Sequence, residues 1–114
     1  MEDCIFCAIV SGKAPADIVY EDDLSIAFRD IKPQAPVHIL VIPKSHIRTI
    51  VESAEEDKSL LGHLIYVANS IAKKEGISQR GFRLVINCGV QSGQTVWHVH
   101  IHLLGGRRMT WPPG

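Results

Sequence analysis

Residues 97–104 read Trp97-His98-Val99-His100-Ile101-His102-Leu103-Leu104. Side chains alternate across a strand, so this octet separates into two faces. His98, His100 and His102 lie on one, and Val99, Ile101 and Leu103 on the other. The apolar set reads as a core face. Three imidazoles buried together would each need satisfied partners, so the histidine set is expected on a face open to water or ligand. A polar outer face rich in histidine, or a three-histidine metal site, would leave the same pattern. Phosphoryl chemistry is a third use. Neutral imidazole is a good nucleophile near pH 7, and water can cleave the phosphoramidate it forms. Such a nucleophile presents one ring nitrogen as a lone pair, so the N–H of the other needs a fixed acceptor. Neighbouring histidines and hydroxyls can donate to phosphate oxygens as charge develops.

Working outward, a strand over Phe82 to Asn87 is expected before the histidine strand, which itself runs from Thr95 to Leu104. The glycine-bearing loop Cys88 to Gln94 separates them. Upstream, Ser53-Ala54-Glu55-Glu56 has the form of a capping box and opens a helix running to about Lys74, with Gly76 near its C-terminal cap. Leu60, Leu64, Val67, Ala68 and Ile71 form its apolar stripe, which Leu61, Ile65 and Ala72 widen. An arc that wide suits a deeply buried helix, or one that shares part of its face with a second subunit. Val37 to Ile42 is a strand closed by Pro43, while Pro33 and Pro36 mark a loop. Ile18-Val19-Tyr20 and Leu24 to Phe28 flank the acidic turn Glu21-Asp22-Asp23 as a hairpin. Asp3 is placed to cap a short first helix that carries Ile5, Phe6 and Ile9 on one face and stops at Gly12. Five strands with one long helix between the third and fourth make an α+β domain with a mainly antiparallel sheet.

The chain has 114 residues, 46% of them hydrophobic, which fits one domain over residues 1–114. Twelve basic residues balance twelve acidic ones. Arg107-Arg108 is the only pair of adjacent arginines and no larger basic run occurs, so a nucleic-acid partner is not expected. No segment approaches the roughly 20 apolar residues of a membrane helix, and the acidic start lacks the basic region of a secretory signal. Three cysteines are too few for a disulfide framework, and a cytoplasmic location is expected. Cys4-Ile5-Phe6-Cys7 is a C-x-x-C. Its readings are two small buried thiols, a redox pair, or half of a zinc site completed by His46 and His98. Cys88 has no such partner and is read as structural.

His98-Val99-His100-Ile101-His102-Leu103-Leu104 matches the His-φ-His-φ-His-φ-φ signature of the histidine triad superfamily, φ being apolar. Asp30-Ile31-Lys32-Pro33-Gln34-Ala35-Pro36-Val37-His38, Leu40-Val41-Ile42-Pro43-Lys44 and His46 resemble its Hint branch. So do Gly93-Gln94-Thr95-Val96, Gly105-Gly106-Arg107 and Trp111-Pro112-Pro113-Gly114. The resemblance spans nearly the whole chain. It implies a purine-nucleotide phosphoramidate hydrolase with no cofactor required for catalysis, working as a homodimer with the sheet extended across the two subunits.

By that resemblance His100 is the nucleophile at the α-phosphorus, and His102 stabilises the phosphate oxygens. His98 is the first triad member, and His38 completes the catalytic set. Thr95 stands where the branch usually carries serine. Asn87, Gly93 and Thr95 would lie along the phosphate, and Asp30 would hold the ribose hydroxyls. Ile5, Phe6, Ile9, Ile31 and Leu40 would line the base pocket, and Trp111 in the tail would reach the partner's site. Members whose zinc is held by a Cys-x-x-Cys and two histidines imply the set Cys4, Cys7, His46 and His98. Within the superfamily, His102 sits where nucleotidyl transferases typically carry glutamine, and the Trp-Pro-Pro-Gly tail speaks against a dinucleoside polyphosphate hydrolase. A nucleotide-binding scaffold with incidental catalysis, or a metal-storage protein, are readings of other classes.

Overall fold

The computed structural model describes residues 3–114. The chain runs through α1 (Ile5–Val10), β1 (Ile18–Glu21), β2 (Ser25–Arg29), β3 (Val37–Pro43), α2 (Lys58–Lys74), β4 (Phe82–Val85) and β5 (Ile101–Gly105). The five strands form one sheet in the order β1-β2-β3-β5-β4, each neighbour antiparallel to the next. This is the α+β architecture that the sequence implies. No helix among the described residues is long and apolar enough to cross a membrane.

β3 is almost wholly apolar because both of its faces are covered. On one face Ala27, Ile39, Val41, Ile101 and Leu103 pack with Leu64, Val67, Ala68, Ile71 and Ala72 of α2. On the other, Ile26, Phe28, Leu40 and Ile42 pack with Phe6 and Ile9 of α1. Each fully buried Ile, Leu or Phe contributes roughly 1.5–3 kcal/mol. Strand alternation then places the histidines: His38 shares its face with Leu40 and Ile42, and His102 points away from the face of Ile101 and Leu103. Both histidines therefore emerge on the α1 side.

Several local expectations are corrected. Cys4, not Asp3, caps α1, its Sγ accepting from the Cys7 N–H at 3.3 Å. Ile5 is 50% exposed, since a helix this short buries only the stripe of Phe6 and Ile9. The capping box is displaced by one residue: the Asp57 carboxylate accepts from the Ala54 N–H at 2.8 Å, while the Ser53 hydroxyl donates to the Ile50 carbonyl. A 3-10 turn, Glu55–Asp57, therefore precedes α2. Along α2, Leu64, Val67, Ala68, Ile71 and Ala72 are buried, but Ile65 faces solvent.

The last two strands are shorter than expected. β4 stops at Val85 and β5 starts at Ile101, so His98 and His100 precede the regular ladder. Their segment meets its hydrogen bonds elsewhere, as where the Val99 N–H donates to the Ile47 carbonyl at 2.7 Å. Beyond α2, Gly76 takes φ +76°, which turns the chain back and seats Ile77 against Gly105. A Cβ on Gly105 would lie 2.5 Å from Ile77 Cδ1, so any larger residue there would force Ile77 to shift.

Asp22 ties the first hairpin to α2. Its carboxylate accepts from the Leu24 and Ser25 N–H groups (2.8 and 2.7 Å), from the Tyr20 and Ser25 hydroxyls (2.6 and 3.0 Å) and from His63 Nε2 (2.7 Å). Burial by itself would raise its pKa. The hydrogen bonds from Tyr20, His63, Leu24 and Ser25 outweigh burial and hold the group well below its ordinary 3.8. A depressed carboxylate contributes stability in full above its unfolded value and loses it as the pH falls through the folded one. Asp22→Ala should thus cost about 2 kcal/mol in urea denaturation at pH 7. The difference from wild type should shrink below pH 4; an equal difference at pH 7 and pH 3 would remove the ionic explanation.

Candidate active site

The three histidines of the motif do not behave as one open face. His98 is completely buried, His100 nearly so, and His102 is half-buried. α1 roofs this side of the sheet, with the Phe6 ring edge-on to His98 and His100 at centroid distances of 5.8 and 5.2 Å. The exposed histidine face expected from alternation is therefore corrected. Its cause is a covering helix of only six residues, and the polar groups under it are satisfied. Among the described residues, no buried side-chain nitrogen or oxygen lacks a hydrogen-bond partner.

Partners assign the ring protons. His100 Nδ1 is 2.7 Å from the His98 carbonyl, which can only accept. Nδ1 therefore carries the hydrogen, and Nε2 is left as a lone pair. The Gln34 N–H donates to His38 Nδ1 at 3.0 Å, so His38 carries its hydrogen on Nε2. That Nε2 lies 2.9 Å from His102 Nδ1 and 3.4 Å from Asp30 Oδ2. With Nδ1 of His102 accepting, the His102 hydrogen sits on Nε2, a donor at the end of a Gln34–His38–His102 chain, and Asp30 is a second, longer acceptor for the same His38 N–H. The His100 and His102 rings are 4.9 Å apart. A lone pair and an N–H donor thus stand side by side.

Electrostatics agree with neutral rings. Burial lowers the pKa of His38 and of His100. His102 falls to about 4, first through burial and then through His100 and His38, against the opposing pull of Asp30.

His98 turns the other way. Its Nε2 donates to the Pro43 carbonyl at 2.8 Å, which leaves Nδ1 as a lone pair. That nitrogen is 3.4 Å from Cys4 Sγ, 3.6 Å from Cys7 Sγ and 3.2 Å from His46 Nδ1. Cys7 Sγ is 3.2 Å from His46 Nδ1. The edges of a tetrahedron around zinc would be about 3.3 Å between two nitrogens and about 3.6 Å between nitrogen and sulfur. The four donors fit a tetrahedral Cys2His2 site of the kind thiolate and imidazole offer to zinc.

Other expected residues scatter. Leu40, Phe6 and Ile9 form one buried cluster under α1. Asn87 is half-buried beyond β4, and Gly93, with φ +89°, ends the 3-10 turn Val90–Ser92. Thr95 is exposed and lines a cavity of about 360 Å³ together with Cys4, Ile5, His46, Arg48 and Trp97. Ile31 and Trp111 are 92% and 81% exposed and form no wall within this chain. Gln94 went unassigned in the sequence, yet its buried amide holds the loop together: it accepts from the Gly89 N–H and donates to the Arg48 and Val96 carbonyls. A glutamine between Gly93 and Thr95 was the only trace of it. The Gln34 N–H and the Pro43 and His98 carbonyls are backbone groups and leave none.

Residues 11–109 match the HIT domain. The chain belongs to the HIT family. A 14 kDa zinc-binding protein of Brassica juncea is 51% identical over 114 residues, covering 98% of this chain and all of its own. A HIT family hydrolase of Legionella pneumophila superposes with a TM-score of 0.96 at 52% identity, over 98% of this chain and 100% of that one. A histidine triad nucleotide-binding protein of Candida albicans gives 0.83 at 29% identity, over 96% and 83%. The HIT assignment carries with it the nucleotide hydrolase and transferase chemistry of the superfamily.

Two outcomes check this geometry. HIT protein purified without chelator should contain close to one zinc per chain by elemental analysis, and Cys7→Ser should remove it; far less metal in wild type would refute the site. His102 should titrate by NMR near pH 4, far below the ordinary 6.5 of histidine. The unfolded chain then binds a proton that the folded site refuses. Stability should accordingly fall as the pH drops from 6.5 toward 4.

Proposed function

We propose that this HIT protein is a purine nucleoside phosphoramidate hydrolase of the Hint branch, acting through a covalent nucleotidyl-His100. The observation that carries the reading is the 2.7 Å bond from His100 Nδ1 to the His98 carbonyl, which leaves Nε2 unprotonated on a neutral ring. Nε2 attacks the α-phosphorus, and a P–N bond to His100 forms. The bond from phosphorus to the leaving amine breaks, and the amine departs with its electron pair and takes up a proton. Water then attacks the same phosphorus, the P–N bond to His100 breaks, and the nucleoside monophosphate leaves. His102 Nε2–H donates to a phosphate oxygen as negative charge builds. His38 serves by holding His102 in the donating tautomer, with Asp30 as the outer acceptor.

Asp30 would also meet the ribose, while Thr95, Asn87 and Gly93 would border the phosphate. Phe6, Ile9 and Leu40 offer an apolar floor for a purine, with Ile5 and Ile31 at its rim. None of these steps needs a metal, which in this account is structural.

A homodimer is part of the same proposal. β4 is an edge of the sheet, and Ile65, Tyr66 and Ile86 leave apolar surface exposed on α2 and just beyond that edge. Pairing of β4 with its copy would cover both. The exposed tail with Trp111 is then free to reach the partner's nucleotide site.

Wild type should hydrolyse a fluorogenic adenosine 5′-phosphoramidate and show, on acid quench, a protein adduct of AMP mass. His100→Ala should lose the adduct and at least about 10³-fold in kcat. Binding of AMP without turnover by wild type would leave a nucleotide-binding protein and overturn the enzyme reading.

A further inference from the structure

The side-chain donors of the Cys4/Cys7/His46/His98 cluster take no part in the reaction above, yet their geometry reaches His100. Cys4 is both the cap of α1 and one of the four donors. Cys7, one turn later on the same helix, is another. Between them Phe6 presses its ring against His98 and His100. The third donor, His98, also supplies the carbonyl that accepts the His100 Nδ1–H. A helix of six residues makes too few hydrogen bonds to persist alone. Its remaining anchors on the sheet are Phe6, Ile9 and the partly buried Val10.

We infer that a zinc-class metal at these four residues is a latch that orients His100, with His98 and Phe6 as positioning residues. His98 acts through its carbonyl, whose place is set once its ring is held between the metal and the Pro43 carbonyl. Phe6 acts through its ring, which fills the space into which the imidazole would otherwise swing. The α2 face of the sheet does not depend on α1, because its packed cluster contains no residue of that helix. Loss of metal therefore loosens α1 and the His100 tautomer while the sheet and α2 persist. This rests on His100 being the nucleophile, but its signature can be read without any turnover.

The test is NMR of the full chain in three states: zinc-loaded, treated with a chelator, and reloaded with zinc. Zinc-loaded protein should show a slowly exchanging His100 Nδ1–H and a single ring tautomer. Chelation should abolish that signal and speed exchange of the Phe6 to Ile9 amides about tenfold or more, leaving the β3 and α2 amides unchanged. Zinc should restore both. Cys7→Ser should reproduce the chelated state, and Cys88→Ser, outside the cluster, should not. An unchanged His100 signal after chelation would overturn the latch, as would a protein that takes up no zinc. Collapse of the whole spectrum would overturn it too, since the metal would then be holding the fold and not one helix. Phosphoramidate hydrolysis absent from a protein that shows the full signature would sink the proposed reaction and leave the latch standing.

Discussion

The arrangement of this site depends on His98, a residue that is fully buried and bonded at three points. Its Nε2 reaches the Pro43 carbonyl at the end of β3, its Nδ1 faces the cysteines of α1, and its carbonyl receives His100. A single residue thus joins the central strand, the covering helix and His100. Such a position admits no ready substitute. Another side chain could fill the volume, but it would leave the Pro43 carbonyl without its donor and the two cysteines without the neighbouring imidazole nitrogen. A buried polar group stripped of its partner costs roughly 1–3 kcal/mol.

The two-faced sheet gives that residue its setting. With α2 packed on one side, β3 and β5 must send Ile39, Val41, Ile101 and Leu103 toward it, and the pleat then sends His38 and His102 the other way. Antiparallel pairing places Leu40 opposite His102 and His38 opposite Leu104. His38 and His102 are therefore diagonal neighbours on one face, and a 2.9 Å contact between their rings needs no loop to arrange it. The relay is built on rigid ladder, whereas His100 just precedes the strand and relies on local bonds. The parts that must stay fixed and the part that is separately held lie on different kinds of structure.

Much of this was legible in the sequence, and the limits of legibility are physical. The alternation of Val99, Ile101 and Leu103 revealed the buried face, and the apolar spacing of Leu64, Val67, Ala68 and Ile71 revealed α2, because periodicity records burial directly. The four residues of the Cys/His cluster were legible as residue types, and so was the pair His38 and His102. What alternation could not show is that α1 roofs the histidine side, since a short helix leaves only Phe6 and Ile9 as its signal. Nor could it show that His98 and His100 lie outside the ladder, because backbone acceptors such as the His98 and Pro43 carbonyls belong to every residue alike. The displaced cap before α2 has a similar origin. Ser53 and Asp57 compete for the same turn, and the hydroxyl is taken by Ile50.

Burial of the histidines also resolves an apparent conflict between stability and chemistry. An imidazole in a buried place resists protonation, which makes the folded state less favourable in acid. The same resistance keeps the His100 lone pair available at neutral pH, where a solvent-exposed ring would already be partly protonated. The nearby Asp30 opposes the shift in both His38 and His102, yet burial prevails in each. Were the carboxylate closer or the rings more exposed, His38 would become a cation and His102 Nδ1 would lie next to a fixed positive charge. A neutral chain instead carries hydrogen-bond direction from the Gln34 N–H through His38 to His102 without transferring net charge, so His102 presents an N–H donor beside the His100 lone pair. The covering helix α1 thus helps set the electrostatics of the site, since the burial it contributes favours the neutral form of these histidines.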